Sequence, residues 1–155
     1  MKLKIAAVGR LRAGPEADLV NDYLDRFDKA GRNLGLGPIT VHEVDGKKGG
    51  MAAEATLLEK AIGNSGPVCT LDERGKMMSS PEFANLLAKW RDQGASEPVF
   101  VIGGADGLDP ALRARADVSL SFGKMVWPHM MVRVMLAEQL YRAGSILAGS
   151  PYHRV

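Results

Sequence analysis

Residues 99–107 read VFVIGGADG: four β-branched or aromatic residues run straight into Gly103, Gly104, Ala105, Asp106 and Gly107. An unbroken apolar run bounded by glycines is the pattern of a strand buried on both faces. Glycine admits positive φ and lets backbone N–H and C=O groups approach a ligand closely. The same stretch also fits a plain strand-to-helix turn. Neither GxGxxG nor GxxxxGK[ST] can be placed here or elsewhere in the chain. A nucleoside held at this loop would therefore be held mainly by backbone contacts to base and ribose, without a phosphate cradle.

The neighbouring segments repeat the alternation of strand and helix. Lys4–Val8, Ile39–Val44, Pro67–Asp72 and Val118–Phe122 read as strands. Glu16–Lys29 carries Leu19, Val20, Tyr23, Leu24 and Phe27 at helical spacing, and Ala52–Ile62 is rich in Ala, Leu and Glu. SSPEF at 79–83 predicts a helix start capped by Ser80, with Pro81 in the first position and an end near Asp92. Asp109–Ala116 predicts a short helix and Met130–Ala143 a long final one. This order predicts an α/β fold with a mainly parallel sheet and helices on both faces. Ligands in such sheets sit beyond the carboxyl ends of the strands. The loops Asp72–Met77, Gly103–Gly107 and Phe122–His129 should meet there.

Composition bounds the class. The 155 residues suit one domain, 1–155, with no repeat or linker to divide them. Apolar residues make up 46% and charged residues 25%, as in soluble globular proteins. A lone Cys69 builds no disulfide framework and suits a reducing cytoplasm. The opening MKLKIAAVG lacks the long apolar core of a signal peptide. No run approaches the roughly 20 apolar residues of a membrane span. Net charge is +2 and pI near 8.8, less basic than expected of a protein held to free RNA or DNA by charge alone.

The final helix has few polar positions: Arg133, Glu138, Gln139 and Arg142. Met131, Met135, Glu138 and Arg142 share one face; Val132, Leu136 and Leu140 form a second stripe; Val134, Ala137 and Tyr141 a third. A helix apolar nearly all round is buried on more than one side. One side can meet the sheet, and a second copy in a two-fold dimer would cover the other. Glu138 and Arg142 are an i, i+4 pair of favourable order. His129 follows Pro128 at the helix start. DGKKGG at 45–50 and the charged run Asp72, Glu73, Arg74 and Lys76 read as solvated loops, the first with a possible phosphate contact. After the glycine–serine–proline turn the chain closes on Tyr152, His153 and Arg154.

IGGADG, then a loop ending in PH, then VRVMLAEQLYRAGSILAGSPYHR resembles the bacterial ribosomal RNA large-subunit methyltransferase H family of the SPOUT superfamily. MKLKIAAVG and LDERGKMMSSPEFA carry the likeness through the rest of the chain. The resemblance implies S-adenosylmethionine-dependent methylation of N3 of a pseudouridine in large-subunit rRNA, within the ribosome. It also implies a SPOUT-type fold with a C-terminal trefoil knot, a homodimer, and no metal. Cofactor contacts fall by motif on Leu71, Gly103, Gly104, Gly107 and the loop Phe122, Gly123, Lys124, Met125, Val126 and Trp127. His153, Arg142, Tyr152 and Glu138 are the catalytic candidates; Arg154, His129 and Arg133 are the candidates for RNA contact. Ala105, where family members often carry Pro, and the SFGKMVWPH loop depart from the usual pattern. Two other readings stay open: a SPOUT methyltransferase acting on another RNA such as tRNA, and a non-enzymatic nucleotide- or RNA-binding α/β module.

Overall fold

The computed structural model describes residues 1–46 and 49–154. Lys47 and Lys48 of the DGKKGG loop, read above as a possible phosphate contact, lie outside the described residues. Five strands alternate with five helices: β1 (Leu3–Val8), α1 (Pro15–Gly31), β2 (Ile39–Val44), α2 (Gly50–Ile62), β3 (Val68–Met77), α3 (Ser80–Asp92), β4 (Val99–Ile102), α4 (Pro110–Arg115), β5 (Val118–Ser121) and α5 (His129–Leu147). All strand pairs are parallel, in the order β2-β1-β4-β3-β5.

The period-2 alternation of side chains divides the core into two layers. Leu3, Ile5 and Ala7 of β1 and Phe100 and Ile102 of β4 face α1, α3 and α5. Ala6, Val8, Val99 and Val101 face α2 and α4. The VFVI run is apolar throughout because helices cover both of its faces. Phe27, Phe100, Leu87, Leu136 and Leu140 are fully buried, each contributing about 1.5–3 kcal/mol over an exposed position.

Three expectations are corrected. Asp72–Met77 is not simply a loop: β3 pairs with β5 through Leu71, bulges, and resumes at Lys76↔Leu120 and Met77↔Ser121. Gly75 permits that return, since a Cβ there would lie 2.6 Å from the Ser119 backbone. The cap of α3 is Ser79, whose hydroxyl accepts from the Glu82 N–H at 3.2 Å; Ser80 is already helical. The final helix continues past Ala143 to Leu147. Gly144 lies within it, packed against α1: a Cβ there would be 3.6 Å from the Phe27 ring, in ordinary contact.

Candidate functional site

The carboxyl ends of β3, β4 and β5 open into a cavity of about 820 Å³, counting the space open to solvent. Leu71 ends the straight part of β3, Ile102 ends β4, and Leu120 lies near the end of β5; all three line the floor. The glycine loop forms one wall. Gly107 (φ 81°) donates its N–H to the Gly104 carbonyl at 3.0 Å and closes a narrow bridge. A Cβ on Gly103 would lie 2.8 Å from the Gly107 carbonyl group, so residue 103 must be glycine for the loop to close on itself. Gly104 is constrained from behind, where a Cβ would meet a Glu54 carboxylate oxygen at 2.8 Å.

Of the residues expected to hold a cofactor, Leu71, Gly103, Gly104, Gly107, Phe122, Gly123, Met125, Val126 and Trp127 line this cavity. Lys124 does not; its exposed side chain lies outside the lining. His129 belongs to the wall, and burial, then the nearby Arg133 charge, hold its pKa below the ordinary imidazole value. Sequence reasoning brought the loops holding Asp72, Glu73, Arg74 and Asp106 to this place but gave these charged members of the lining no role in the site. The Asp72 carboxylate is buried and lies 3.6 Å from both Arg74 and Arg113. Its position at the end of a buried strand was the available signal.

Arg133 was expected to meet RNA. Instead it is 3% exposed and reaches back beneath the sheet edge. Its guanidinium donates to Glu43 Oε2 at 2.5 Å, to the Val8 carbonyl at 3.0 Å and to the Gly9 carbonyl. Burial would raise the Glu43 carboxyl, but the Leu11 N–H and Arg133 outweigh it and hold its pKa below the usual value. Arg133 thus ties the start of α5, and the loop before it, to the ends of β1 and β2. It is a positioning residue, not a surface cation.

The four catalytic candidates come together at the other end of α5. Glu138 Oε1 accepts from Arg142 Nε at 2.9 Å, Arg142 Nη2 at 2.5 Å and the Tyr152 hydroxyl at 3.0 Å. Glu138 Oε2 accepts from Gln139 Nε2 at 3.0 Å. Arg142 lies 4.8 Å from the Tyr152 ring centre, and Tyr152 packs on Tyr141 at 4.6 Å. Burial, followed by the Glu138 hydrogen bond, pushes the Tyr152 phenol up to about 12, so it donates at neutral pH. Arg142 Nη1 is 3.3 Å from His153 Nδ1. A guanidinium can only donate, so Nδ1 accepts and the neutral ring carries its proton on Nε2. Arg154 is exposed. None of Glu138, Arg142, Tyr152 or His153 lines the cavity: one chain brings the tail cluster together but does not bring it to the strand ends.

Among the described residues no group of three or more His, Cys, Asp or Glu is placed to hold a metal, and no helix is long and apolar enough to cross a membrane. The family described as predicted SPOUT methyltransferase matches residues 1–153. A Dinoroseobacter shibae protein named ribosomal RNA large subunit methyltransferase H is 67% identical, with 100% of each chain covered. A Ruegeria pomeroyi protein of the same name is 66% identical, again over 100% of both. A solved structure of a probable methylase family protein from Haemophilus influenzae shares the fold at TM-score 0.55 and 11% identity. The match covers 99% of this chain and 70% of that one.

Proposed function

The chain belongs to the SPOUT methyltransferase family, and from that premise we propose that it methylates N3 of a pseudouridine in large-subunit ribosomal RNA, acting on the ribosome in the cytoplasm. The cofactor is S-adenosylmethionine. The observation that carries the site assignment is the cavity at the ends of β3, β4 and β5, lined by the loops the motifs single out. Its chemistry fits that cofactor. Leu71, Leu120 and Val126 offer an apolar bed for a heterocycle, the glycine loop offers backbone groups, and Glu73 and Asp106 offer negative charge to a sulfonium and an ammonium. When bound, S-adenosylmethionine supplies an electrophilic methyl: the N–C bond forms as the C–S bond breaks, the N3 proton departs, and a neutral thioether remains.

The chain's own residues align, exclude water and stabilise charge. Each candidate base in the tail cluster already holds a donor: three on Glu138 Oε1, one on Oε2, and Arg142 on His153 Nδ1. We therefore assign His153 Nε2–H and Arg142 to stabilising the deprotonated imide, Tyr152 to stacking, Arg154 to an rRNA phosphate, and proton loss to solvent.

The reading includes a homodimer. Met125 and Val126 are 74% and 79% exposed; with Trp127 they line the cavity, and Met130 and Met131, close by in the chain, are also exposed apolar residues. A partner seated there would cover these residues and carry its tail cluster to the cavity. The reading also includes one methyltransferase domain over 1–155, supported by the continuous family match, and a C-terminal trefoil knot. The strand order supports the knot: the chain leaves β4 on one side of β3 and returns as β5 on the other. The test is transfer of labelled methyl to unmethylated ribosomes, isolated subunits, free rRNA and tRNA, followed by mapping of the modified base. Label on a pseudouridine N3 of ribosomal large-subunit rRNA is expected. Label on tRNA, or none, would overturn the reading.

A further inference from the structure

Beside the cofactor cavity, and resting on the methyltransferase reading, we propose a phosphate site: Arg74, Arg113 and Ser119 receive a backbone phosphate of the substrate RNA. These residues line a shallow pocket between the bulge of β3, α4 and the start of β5. It opens over about 640 Å³, counting the space open to solvent. Asp72 and Arg74 line both this pocket and the cavity at the strand ends, so the two spaces adjoin.

The bulge builds the site. β3 leaves its register with β5 after Leu71 and regains it at Lys76. Asp72 holds the excursion: its Oδ1 accepts the Arg74 N–H at 2.8 Å. Gly75 lets the chain lie close over the Ser119 backbone. Bulges re-aim side chains, often next to active sites. This one brings Arg74 of β3 to the same carboxylate oxygen that Arg113 of α4 approaches.

The charges there do not balance. Asp72 Oδ2 is 3.6 Å from Arg74 Nη1 and 3.6 Å from Arg113 Nε. Two guanidiniums thus face one buried carboxylate, and one positive charge is left over. Both distances exceed that of a hydrogen bond. Arg113 Nε is itself buried with no hydrogen-bond partner among the described residues. Nearby acids do not fill the gap: Glu73, Asp109 and Asp117 are outside the pocket lining. Asp109 accepts from the Ala111 N–H and Asp117 from the Val68 N–H. A guanidinium's planar fork matches phosphate oxygens, and the Ser119 hydroxyl adds a donor. The single excess charge matches the single charge of a phosphodiester. Arg113 does not line the cofactor cavity, so a phosphate held here fixes the path of the RNA beside the cavity without touching the reacting atoms. Its effect falls on RNA binding and not on the chemical step.

Arg113→Gln and Arg113→Lys in the full-length protein test the site. Four readouts are needed: binding of unmethylated ribosomes over a salt series, methyl transfer to them, S-adenosylmethionine affinity by calorimetry, and the melting curve. Arg113→Gln should weaken ribosome binding and raise the ribosome KM by about tenfold, as for a lost charge-assisted contact. The slope of log K against log salt should shrink by about 0.7 to 0.9, the share of one phosphate. Cofactor Kd and kcat at saturating ribosome should not move. Arg113→Lys should restore the slope but only part of the affinity, because an ammonium is a point charge and not a fork. Unchanged ribosome affinity and slope in Arg113→Gln would overturn the proposal. So would a parallel loss of cofactor affinity, which would make the guanidiniums a clamp for the cofactor's carboxylate. Should Arg113→Gln melt early, Arg74→Gln decides, since its side chain is exposed and Arg113 remains beside Asp72. A reduced salt slope then supports the site and an unchanged one refutes it. Wild-type protein that binds ribosomes but labels none refutes the methyltransferase reading itself, while the salt series still decides the phosphate site.

Discussion

The cavity at the strand ends and the cluster around Glu138 are built from opposite materials. The cavity relies on backbone: its wall is a loop where Gly103 has no room for a side chain and Gly107 takes a positive φ. The cluster relies on side chains: one carboxylate gathers a guanidinium, a phenol and an amide. A backbone site tolerates changes of side chain as long as its path is kept, so Ala105 and Trp127 can depart from the family's habit there. A side-chain site has no such latitude, because removing one member leaves another partly buried group unpaired. The difference teaches where to place mutations, and how to ask whether two regions that do not touch in one chain work together.

Deleting the tail after Pro151 should have the largest effect. Transfer to ribosomes should drop by more than about a hundredfold while cofactor affinity persists; lost cofactor binding would mean that the tail only supports the fold. Gly103→Val attacks the other region. Its side chain would strike the Gly107 carbonyl group, an overpacking cost worth up to about a hundredfold in cofactor Kd. Unchanged calorimetric affinity would dissociate the loop from the cofactor. Mixing the two damaged proteins joins the tests. If sites form across a two-fold dimer, random heterodimers hold one intact pair, and activity should return to about a quarter of wild type. No recovery would place both halves in one chain.

A smaller effect is expected within the cluster. Tyr152→Phe keeps the ring on Tyr141 but removes a donor to Glu138, and should slow transfer by about fivefold to tenfold. The loss should vanish in a Glu138→Gln background if the two act as one unit. The smallest effect tests the support behind the glycine loop. Burial, then Asp106, raises the Glu54 carboxyl, and its Oε1 has no partner among the described residues. Such a group stabilises the fold fully below its unfolded pKa, and that contribution is lost as pH rises through the folded pKa. Glu54→Gln should therefore raise Tm at pH 8 by about 3 °C and leave it unchanged at pH 4. An equal shift at both values would show that the carboxyl does not titrate with folding.

What could be read in the sequence was local. The VFVI run, the strand at Ile39–Val44 and the Glu138–Arg142 spacing each depend on residues a few positions apart, and each appears where expected. What could not be read depends on distant partners. Arg133 looks like a surface cation on a helix, and only the carbonyls of Val8 and Gly9 and the carboxylate of Glu43 make it an inside residue. Gly144 looks like a helix stop until Phe27 is seen packed over it. The return of β3 at Lys76 needs β5, more than forty residues later. The Ser80–Gln139 bond, which orients an amide beside the cofactor loop, joins residues 59 apart. The glycine loop could be singled out from its strand, but the expectation that it holds a cofactor came from the family's motifs, because no periodicity marks a ligand held by backbone.

The strand order also governs the molecule's own synthesis. β3 lies between β4 and β5, and both are made after it. A nascent chain that has emerged only as far as α3 can zip β1 to β2, but β3 then has two raw edges and no neighbour. The sheet closes only when Val99–Ile102 and then Val118–Ser121 have left the exit tunnel. Before that moment the cavity at the ends of β3, β4 and β5 does not exist. A ligand of that cavity therefore cannot act as a scaffold for the stages of folding that precede β5.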